Sequence, residues 1–133
     1  MKIVVIDDDP GMTGLLTLLL RPASSEVFTA NSGKEGISIV KAESPDIVIL
    51  DLMMPEMDGY QVCGEIRTFS KTPILVLSAL DMPGTVTKAL DAGADDYLIK
   101  PVTSSILIAH LNNLIRRNQA ATFSVNPRPI TIS

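Results

Sequence analysis

Four aspartates in this chain of 133 residues follow directly on two apolar runs, where their carboxylates are well placed for chemistry. Asp7, Asp8 and Asp9 come after the run Lys2–Ile6, and Asp51 comes after a second run. If the two runs are neighbouring strands, folding brings several carboxylates together, and crowded carboxylates repel unless a cation neutralises them. Oxygen ligands without nearby histidine or cysteine favour the hard ion Mg2+ over zinc.

A carboxylate beside Mg2+ is a nucleophile toward phosphorus, because the ion neutralises the oxygens that would otherwise repel the attack. One of these carboxylates is then a candidate nucleophile. Two further residues at expected strand ends complement it, since Lys100 supplies a cation and Ser78 a hydroxyl donor for the charge on a transferred group. The set predicts phosphoryl transfer.

Five short apolar runs predict the strands that position these residues: Lys2–Ile6, Glu26–Ala30, Asp46–Leu50, Pro73–Leu77 and Tyr97–Ile99. Between the runs, apolar residues recur at the three- and four-residue spacing of helices. Three of the runs are continuously apolar, which is typical of strands covered on both faces in a parallel sheet. The alternation predicts an α/β fold, a (βα)5 doubly wound sheet of five parallel strands in the order 2-1-3-4-5, as in flavodoxin-like proteins.

Local signals refine this arrangement. Asp9 before Pro10 is typical of a helix N-cap, and Gly93 is expected to end the fourth helix. Gly59 is expected to adopt a positive φ just before the third helix. The leucine stripe Leu15–Leu20 is predicted to belong to the core.

The last helix is predicted to run from about Thr103 to Arg117, because basic residues suit the negative end of the helix dipole. Residues 1–117 would then form one domain. Residues 118–133 contain two prolines and finish in a short β-branched stretch, so they are interpreted as a linker and the possible start of a C-terminal domain.

Composition excludes several classes of protein. The formal net charge of −4 argues against nucleic-acid or membrane binding through a general positive field. One cysteine, Cys63, and one histidine, His110, are too few for an internal disulfide or a structural zinc site. The N-terminal apolar stretch is too short for a signal peptide and no later run is long enough to span a membrane, so a soluble cytoplasmic protein is expected.

Four segments resemble the receiver domains of two-component response regulators, the CheY-like family, over about residues 2–117. They are residues 4–10 (VVIDDDP), 47–59 (IVILDLMMPEMDG), 74–79 (ILVLSA) and 92–101 (AGADDYLIKP). The resemblance implies a phosphoacceptor that takes its phosphoryl group from a sensor histidine kinase with Mg2+, and not a conventional enzyme.

The resemblance also assigns roles to individual residues. It implies that Asp51 is the phosphoacceptor, with Mg2+ held by the carboxylates of Asp7, Asp8 and Asp51 and by the main-chain carbonyl of Met53. Lys100 would contact the phosphoryl group, Ser78 and Tyr97 would be the switch residues, and the Lys100–Pro101 peptide would be cis.

The sequence is also similar to the OmpR/PhoB winged-helix subfamily, which implies a DNA-binding effector domain beyond this chain. In that subfamily active receivers pair through the fourth helix, fifth strand and fifth helix by salt bridges. Here Ile106 replaces the acidic partner of Lys88, and His110 replaces an arginine. The remaining charges, Asp95, Asp96 and Arg117, are expected to be available for pairing.

Two other protein classes share parts of the pattern. A flavodoxin has the same fold class, but three aspartates after the first strand would repel its phosphate ligand. A haloacid-dehalogenase-type phosphatase also uses a strand-end aspartate, but it needs a second acid where this chain has Met53. Within the receiver family, a stand-alone domain that signals by protein contact is the alternative to a transcriptional regulator.

Overall fold

The structure, a computed structural model, describes residues 1–23 and 26–124. Its strands are β1 (Lys2–Ile6), β2 (Glu26–Ala30), β3 (Ile47–Leu50), β4 (Ile74–Ser78) and β5 (Asp96–Ile99). Its helices are α1 (Pro10–Leu20), α2 (Gly33–Glu43), α3 (Gly59–Arg67), α4 (Pro83–Ala92) and α5 (Ser104–Ser124). The five predicted strands are confirmed, each to within one residue at either end.

The strands form one parallel sheet in the order β2-β1-β3-β4-β5, as predicted. All residues of β3 and β4 are buried, as is β1 from Ile3 onward. Their runs are continuously apolar because helices cover both faces of the sheet.

Alternate residues of the central strands face two separate cores. Val4 and Ile6 of β1 pack in the core that contains Val62 of α3, whereas Ile3 and Val5 pack in the core that contains Leu107 of α5. Each fully buried aliphatic side chain contributes roughly 2 kcal/mol to the stability of the fold. Because every strand pair is parallel, all strand C-termini meet at one edge of the sheet.

The helix ends confirm two predictions and correct one. Asp9 caps α1 by accepting from the Gly11 N–H, with Pro10 in the first turn, and Gly93 ends α4 at φ 119°. Gly59, however, does not have a positive φ; among the described residues near it, Glu56 does, at 66°. Glycine is needed at 59 for space, because a Cβ there would lie 2.6 Å from the Asp51 carbonyl oxygen.

Two other expectations are wrong in part. Helix α5 does not end at Arg117 but continues to Ser124, since the sequence after the arginine pair contains helix-forming Gln and Ala and no proline until Pro127. The domain boundary at 117 stays a prediction, and the short β-branched stretch at residues 130–132, interpreted as the possible start of a C-terminal domain, lies outside the described residues. In α1, Leu16 and Leu20 are buried, but Leu15 and Leu18 are about half exposed and are not core.

No helix in the described part of the chain is long and apolar enough to cross a membrane.

Candidate functional site

The parallel register brings four predicted site residues to one edge of the sheet. Ile6 of β1 pairs with Leu50 of β3, so Asp7 and Asp51 follow at the ends of adjacent strands. Ser78 is the last residue of β4 and pairs with Ile99, which precedes Lys100. Main-chain bonds complete this edge, since the Asp51 N–H donates to the Ile6 carbonyl.

Three carboxylates converge at this edge. One oxygen from each of Asp7, Asp8 and Asp51 can be chosen so that all three lie within 4.8 Å of one another. Asp7 is 2% exposed and Asp51 is 8% exposed, whereas Asp8 is open to solvent. The structure therefore brings the predicted acidic residues together, with two of them removed from water.

Lys100 lies between the two buried carboxylates. Its Nζ is 2.9 Å from Asp7 Oδ2 and 3.7 Å from Asp51 Oδ2, and its side chain is 19% exposed. The Lys100–Pro101 peptide is cis, as the family resemblance implied. One lysine is thus shared by two carboxylates, with Asp8 close by, so the site retains excess negative charge.

The electrostatics of Asp51 reflect this crowding. Burial raises the pKa of Asp51 above its usual value and the charge of Asp7 raises it further, while Lys100 and the N–H groups of Met53 and Leu52 oppose the rise. The Met53 N–H lies 3.4 Å from Asp51 Oδ1. A carboxylate held in this way is more basic than a free aspartate. A cation added to the site would offset the free-energy cost of keeping the buried carboxylate ionised.

The acidic site suits a small hard cation. Its three carboxylates supply oxygen ligands only, and neither histidine nor cysteine is in the group. Mg2+ prefers such ligands, usually one or two carboxylates with water and substrate oxygens completing the shell. Asp7, Asp8 and Asp51 therefore fit the predicted metal ion.

The two predicted switch residues, Ser78 and Tyr97, both hydrogen-bond to the main chain of Leu80, a residue that the sequence did not indicate. Ser78 is fully buried, and its Oγ accepts from the Leu80 N–H at 3.3 Å. The Tyr97 hydroxyl donates to the Leu80 carbonyl at 2.6 Å, and burial raises the pKa of Tyr97. The side chains of Ser78 and Tyr97 thus both hold the loop between β4 and α4, at the second residue after the strand.

A second group missed from the sequence anchors the acidic loop. The Asn31 side chain donates to the Asp7 carbonyl at 2.8 Å and contacts the Thr13 hydroxyl at 3.3 Å. The Asn31 N–H donates to Glu35, so the end of β2 is tied to α2 as well. The only available sequence signal was an Asn at the end of a predicted strand, a position that usually marks a turn.

The charges expected to be available on the α4–β5–α5 face are used within the chain. Arg67 bonds Asp95 at 2.8 Å, and His110 Nδ1 contacts Asp96 Oδ2 at 2.6 Å. Lys88 lies over the Tyr60 ring, 4.3 Å from its centre. Asp95 and Asp96 thus have partners on neighbouring elements of the same chain, and their availability for pairing between two copies stays a prediction.

Comparison with known proteins agrees with this site. Residues 3–112 match the response regulator receiver domain family. A probable transcriptional regulator ycf27 of Porphyridium aerugineum is 41% identical over 94% of this chain and 52% of its own length. The DNA-binding response regulator MtrA of Mycolicibacterium smegmatis is 37% identical over 89% of the chain and 52% of its length. The chain spans about half the length of these relatives.

Solved structures give the same result. The BeF3-activated receiver domain of Klebsiella pneumoniae RstA is 32% identical with a TM-score of 0.82, covering 87% of this chain and 99% of that one. A receiver domain protein from Clostridium thermocellum is 33% identical with a TM-score of 0.83, covering 90% of this chain and 98% of that one. The family model, the relatives and the fold agree, and the chain belongs to the response regulator receiver domain family.

Proposed function

We propose that the chain accepts a phosphoryl group on Asp51, with Mg2+ bound beside it, and uses the modification to change a signalling surface. The observation that carries this proposal is the position of the Asp51 carboxylate, which lies beside the carboxylates of Asp7 and Asp8 and 3.7 Å from the Lys100 ammonium. A nucleophile, a cation site and a fixed positive charge are the parts that phosphoryl transfer to a carboxylate requires.

In the proposed reaction an oxygen of Asp51 forms a bond to phosphorus while the bond from phosphorus to the donor breaks. The donor atom leaves with the electron pair, so the product is an acyl phosphate on Asp51. Lys100 is already within 3.7 Å of Asp51 and can turn from Asp7 toward the incoming oxygens. A donor in which phosphorus is bonded to a histidine nitrogen, as in a sensor histidine kinase, fits this chemistry.

Mg2+ would be held by the carboxylates of Asp7, Asp8 and Asp51 and by the main-chain carbonyl of Met53. When bound, the ion would neutralise phosphoryl oxygens and fix them in line with the attacking carboxylate. Asp8 is the exposed member of the group and belongs to no ion pair found in the described residues, so it is the ligand that should tolerate replacement with the least effect on the fold.

The switch proposal follows from the shared contact at Leu80. Phosphoryl oxygens at Asp51 would compete for the Ser78 hydroxyl, which now accepts from the Leu80 N–H. A shift of this loop would move the carbonyl to which Tyr97 donates. The modification would thus reach α4 and β5 through one loop, as a biased equilibrium and not an absolute switch.

The output follows from the relatives. Because the matched regulators are twice as long as this chain and are named as transcriptional or DNA-binding, we place transcriptional control in an effector domain beyond it. Phosphorylated domains would pair through α4, β5 and α5. The protein would act in the cytoplasm. A stand-alone receiver that signals by protein contact is the alternative.

The test is incubation with Mg2+ and acetyl phosphate, followed by intact-mass measurement. The wild type and an Asp81→Asn control, which removes an exposed carboxylate from the loop after β4, should each gain one phosphoryl group. Asp51→Asn should gain none, because an amide cannot attack as an anion does. Equal labelling of Asp51→Asn would refute the assignment, and undiminished labelling at limiting Mg2+ in Asp8→Asn would remove Asp8 from the metal site.

A further inference from the structure

One charged pair on the α4–β5–α5 face has no part in the site described above. His110 Nδ1 of α5 lies 2.6 Å from Asp96 Oδ2 of β5. The pair is not deeply buried, since the two side chains are 38% and 26% exposed. Position 110 therefore carries a group whose charge depends on pH. The OmpR/PhoB subfamily has a permanently charged arginine at this position.

Other charges near this face are occupied or lie elsewhere. Asp95 accepts from Arg67 of α3, and Lys88 of α4 lies over the Tyr60 ring. Asp91 is exposed on α4, and α5 has no charged residue within five positions of His110 on either side. Arg117 lies about two turns after His110 on α5 and lines a cleft with Lys71 and Asp95. In the described residues, His110 is thus the basic partner of Asp96.

Large apolar side chains are exposed on the same three elements. Leu90 of α4 and Ile99 of β5 are each 45% exposed, and Ile106 of α5 is 50% exposed, one turn before His110. A second copy of the chain that covers these side chains would also remove the Asp96–His110 pair from water. Such a contact would bury this charged pair together with exposed apolar side chains.

We infer that the Asp96–His110 pair makes self-association of the activated domain depend on pH, with the protonated pair favouring the dimer. This inference rests on the proposed pairing through α4, β5 and α5. With neutral His110, the Asp96 carboxylate would be covered as an uncompensated charge, which is costly away from water. With protonated His110 the pair has no net charge, so covering it costs less and association strengthens as the pH falls.

The experiment measures dimer dissociation constants of the beryllofluoride-loaded chain by sedimentation at about pH 6 and about pH 8, which bracket the range in which histidine changes charge. We expect the wild type to associate roughly tenfold more tightly at the lower pH, equivalent to ~1.4 kcal/mol. His110→Gln keeps a polar group without a charge and should associate weakly at both. Asp96→Asn removes the carboxylate, so protonated His110 becomes the uncompensated charge and association should weaken, not strengthen, as the pH falls.

Two controls separate this effect from others. Glu65→Gln changes net charge by the same amount on an exposed position of α3, so it should keep the wild-type pH response. His110→Arg keeps a permanent positive charge and should associate tightly at both values. A wild-type constant that does not change with pH, or a response retained in His110→Gln, would overturn the inference but leave the dimer. No association of any variant at either pH would overturn the proposed dimer and the inference together.

Discussion

The two ends of the sheet differ in how well their charged groups are balanced by partners. At the C-terminal end, Asp7 and Asp51 are buried and share the single ammonium of Lys100. At the N-terminal end, the Arg67 guanidinium donates to the carbonyls of Gly93, Ser70 and Thr72 and to Asp95. One end has more carboxylate than cation, and the other matches a cation to a full set of acceptors.

The N-terminal end of the sheet contributes to stability, whereas the C-terminal end carries the candidate functional site. Arg67 joins the end of α3, the loop before β4 and the loop before β5, and Asp95 also accepts from the Ile74 N–H. These bonds hold three chain segments in one arrangement. The buried carboxylates at the other end do not satisfy one another: burial, and then the charge of Asp7, raises the pKa of Asp51 and favours an added cation. The proposed phosphorylation site is thus held in place by elements whose polar groups are satisfied at the far end of the sheet.

The largest expected effect tests the N-terminal end. Arg67→Ala removes four hydrogen bonds and leaves the acceptors of three segments partly unsatisfied, so we expect a loss of about 3 kcal/mol in the free energy of unfolding. Urea denaturation would measure it. Under native conditions, phosphorylation by acetyl phosphate should persist, because Arg67 lies far from Asp51 along the sheet axis.

The matched control is Arg116→Ala. Arg116 is exposed and bonds only the Asn113 side chain among the contacts described, so its loss should change stability by less than about 0.5 kcal/mol. Equal losses for the two arginines would show that the N-terminal end does not depend on the Arg67 network, and the contrast between the two ends would fail.

Much of this architecture could be predicted because strand burial leaves a direct trace in the sequence. β3 and β4 are continuously apolar since both faces are covered, and Asp51 and Ser78 mark where those strands end. Parallel pairing then requires the strand ends to meet. The grouping of Asp7, Asp51 and Lys100 follows from this geometry, whereas the roles given to them came from the family resemblance.

The missed features depend on partners that are distant in sequence. Arg67 bonds main-chain carbonyls that leave no signature, including that of Gly93, 26 residues away. Leu80 contributes its N–H and carbonyl, so its side chain gave no signal. The end of α5 was misplaced because a basic pair suits a helix C-terminus but does not stop a helix.

A second substitution, with a smaller expected effect, tests how tightly the C-terminal end of the sheet is packed around Asp51. A Cβ at Gly59 would lie 2.6 Å from both the Asp51 carbonyl oxygen and Leu52 Cα, which are backbone atoms that cannot easily move. We expect Gly59→Ala to destabilise the fold by about 2 kcal/mol and to slow phosphorylation, because it displaces the chain segment that carries Asp51, the proposed nucleophile. Thermal unfolding and the labelling rate would measure the two effects.

Gly64 in the same helix is the control for Gly59. A Cβ at Gly64 would meet no atom within 4 Å, so Gly64→Ala should stabilise α3 by about 0.7 kcal/mol through helix propensity and leave labelling unchanged. If both alanine variants were stabilised, the close approach of α3 to the Asp51 loop would not constrain the site.

The smallest effect concerns the charge of Asp51 itself. Because burial and Asp7 raise the pKa of Asp51 in the folded state, its ionised form opposes folding at neutral pH. Asp51→Asn should therefore be more stable than the wild type at pH 7 by on the order of 1 kcal/mol, or roughly 4 °C in Tm. Thermal unfolding without Mg2+ would measure the difference, and Asp81→Asn should change Tm little.

The direction of the pH dependence follows from the order in which the two states bind a proton. As the pH falls, the folded state protonates Asp51 first and gains stability relative to the unfolded chain, whose carboxyl titrates near the ordinary value of 3.8. The advantage of Asp51→Asn should thus shrink as the pH approaches that value. Added Mg2+ should shrink it at pH 7 as well, because the ion binds the folded wild type and relieves the crowding. An advantage that is constant with pH and unaffected by Mg2+ would mean that the carboxylate cluster is not the source of the difference between the two ends of the sheet.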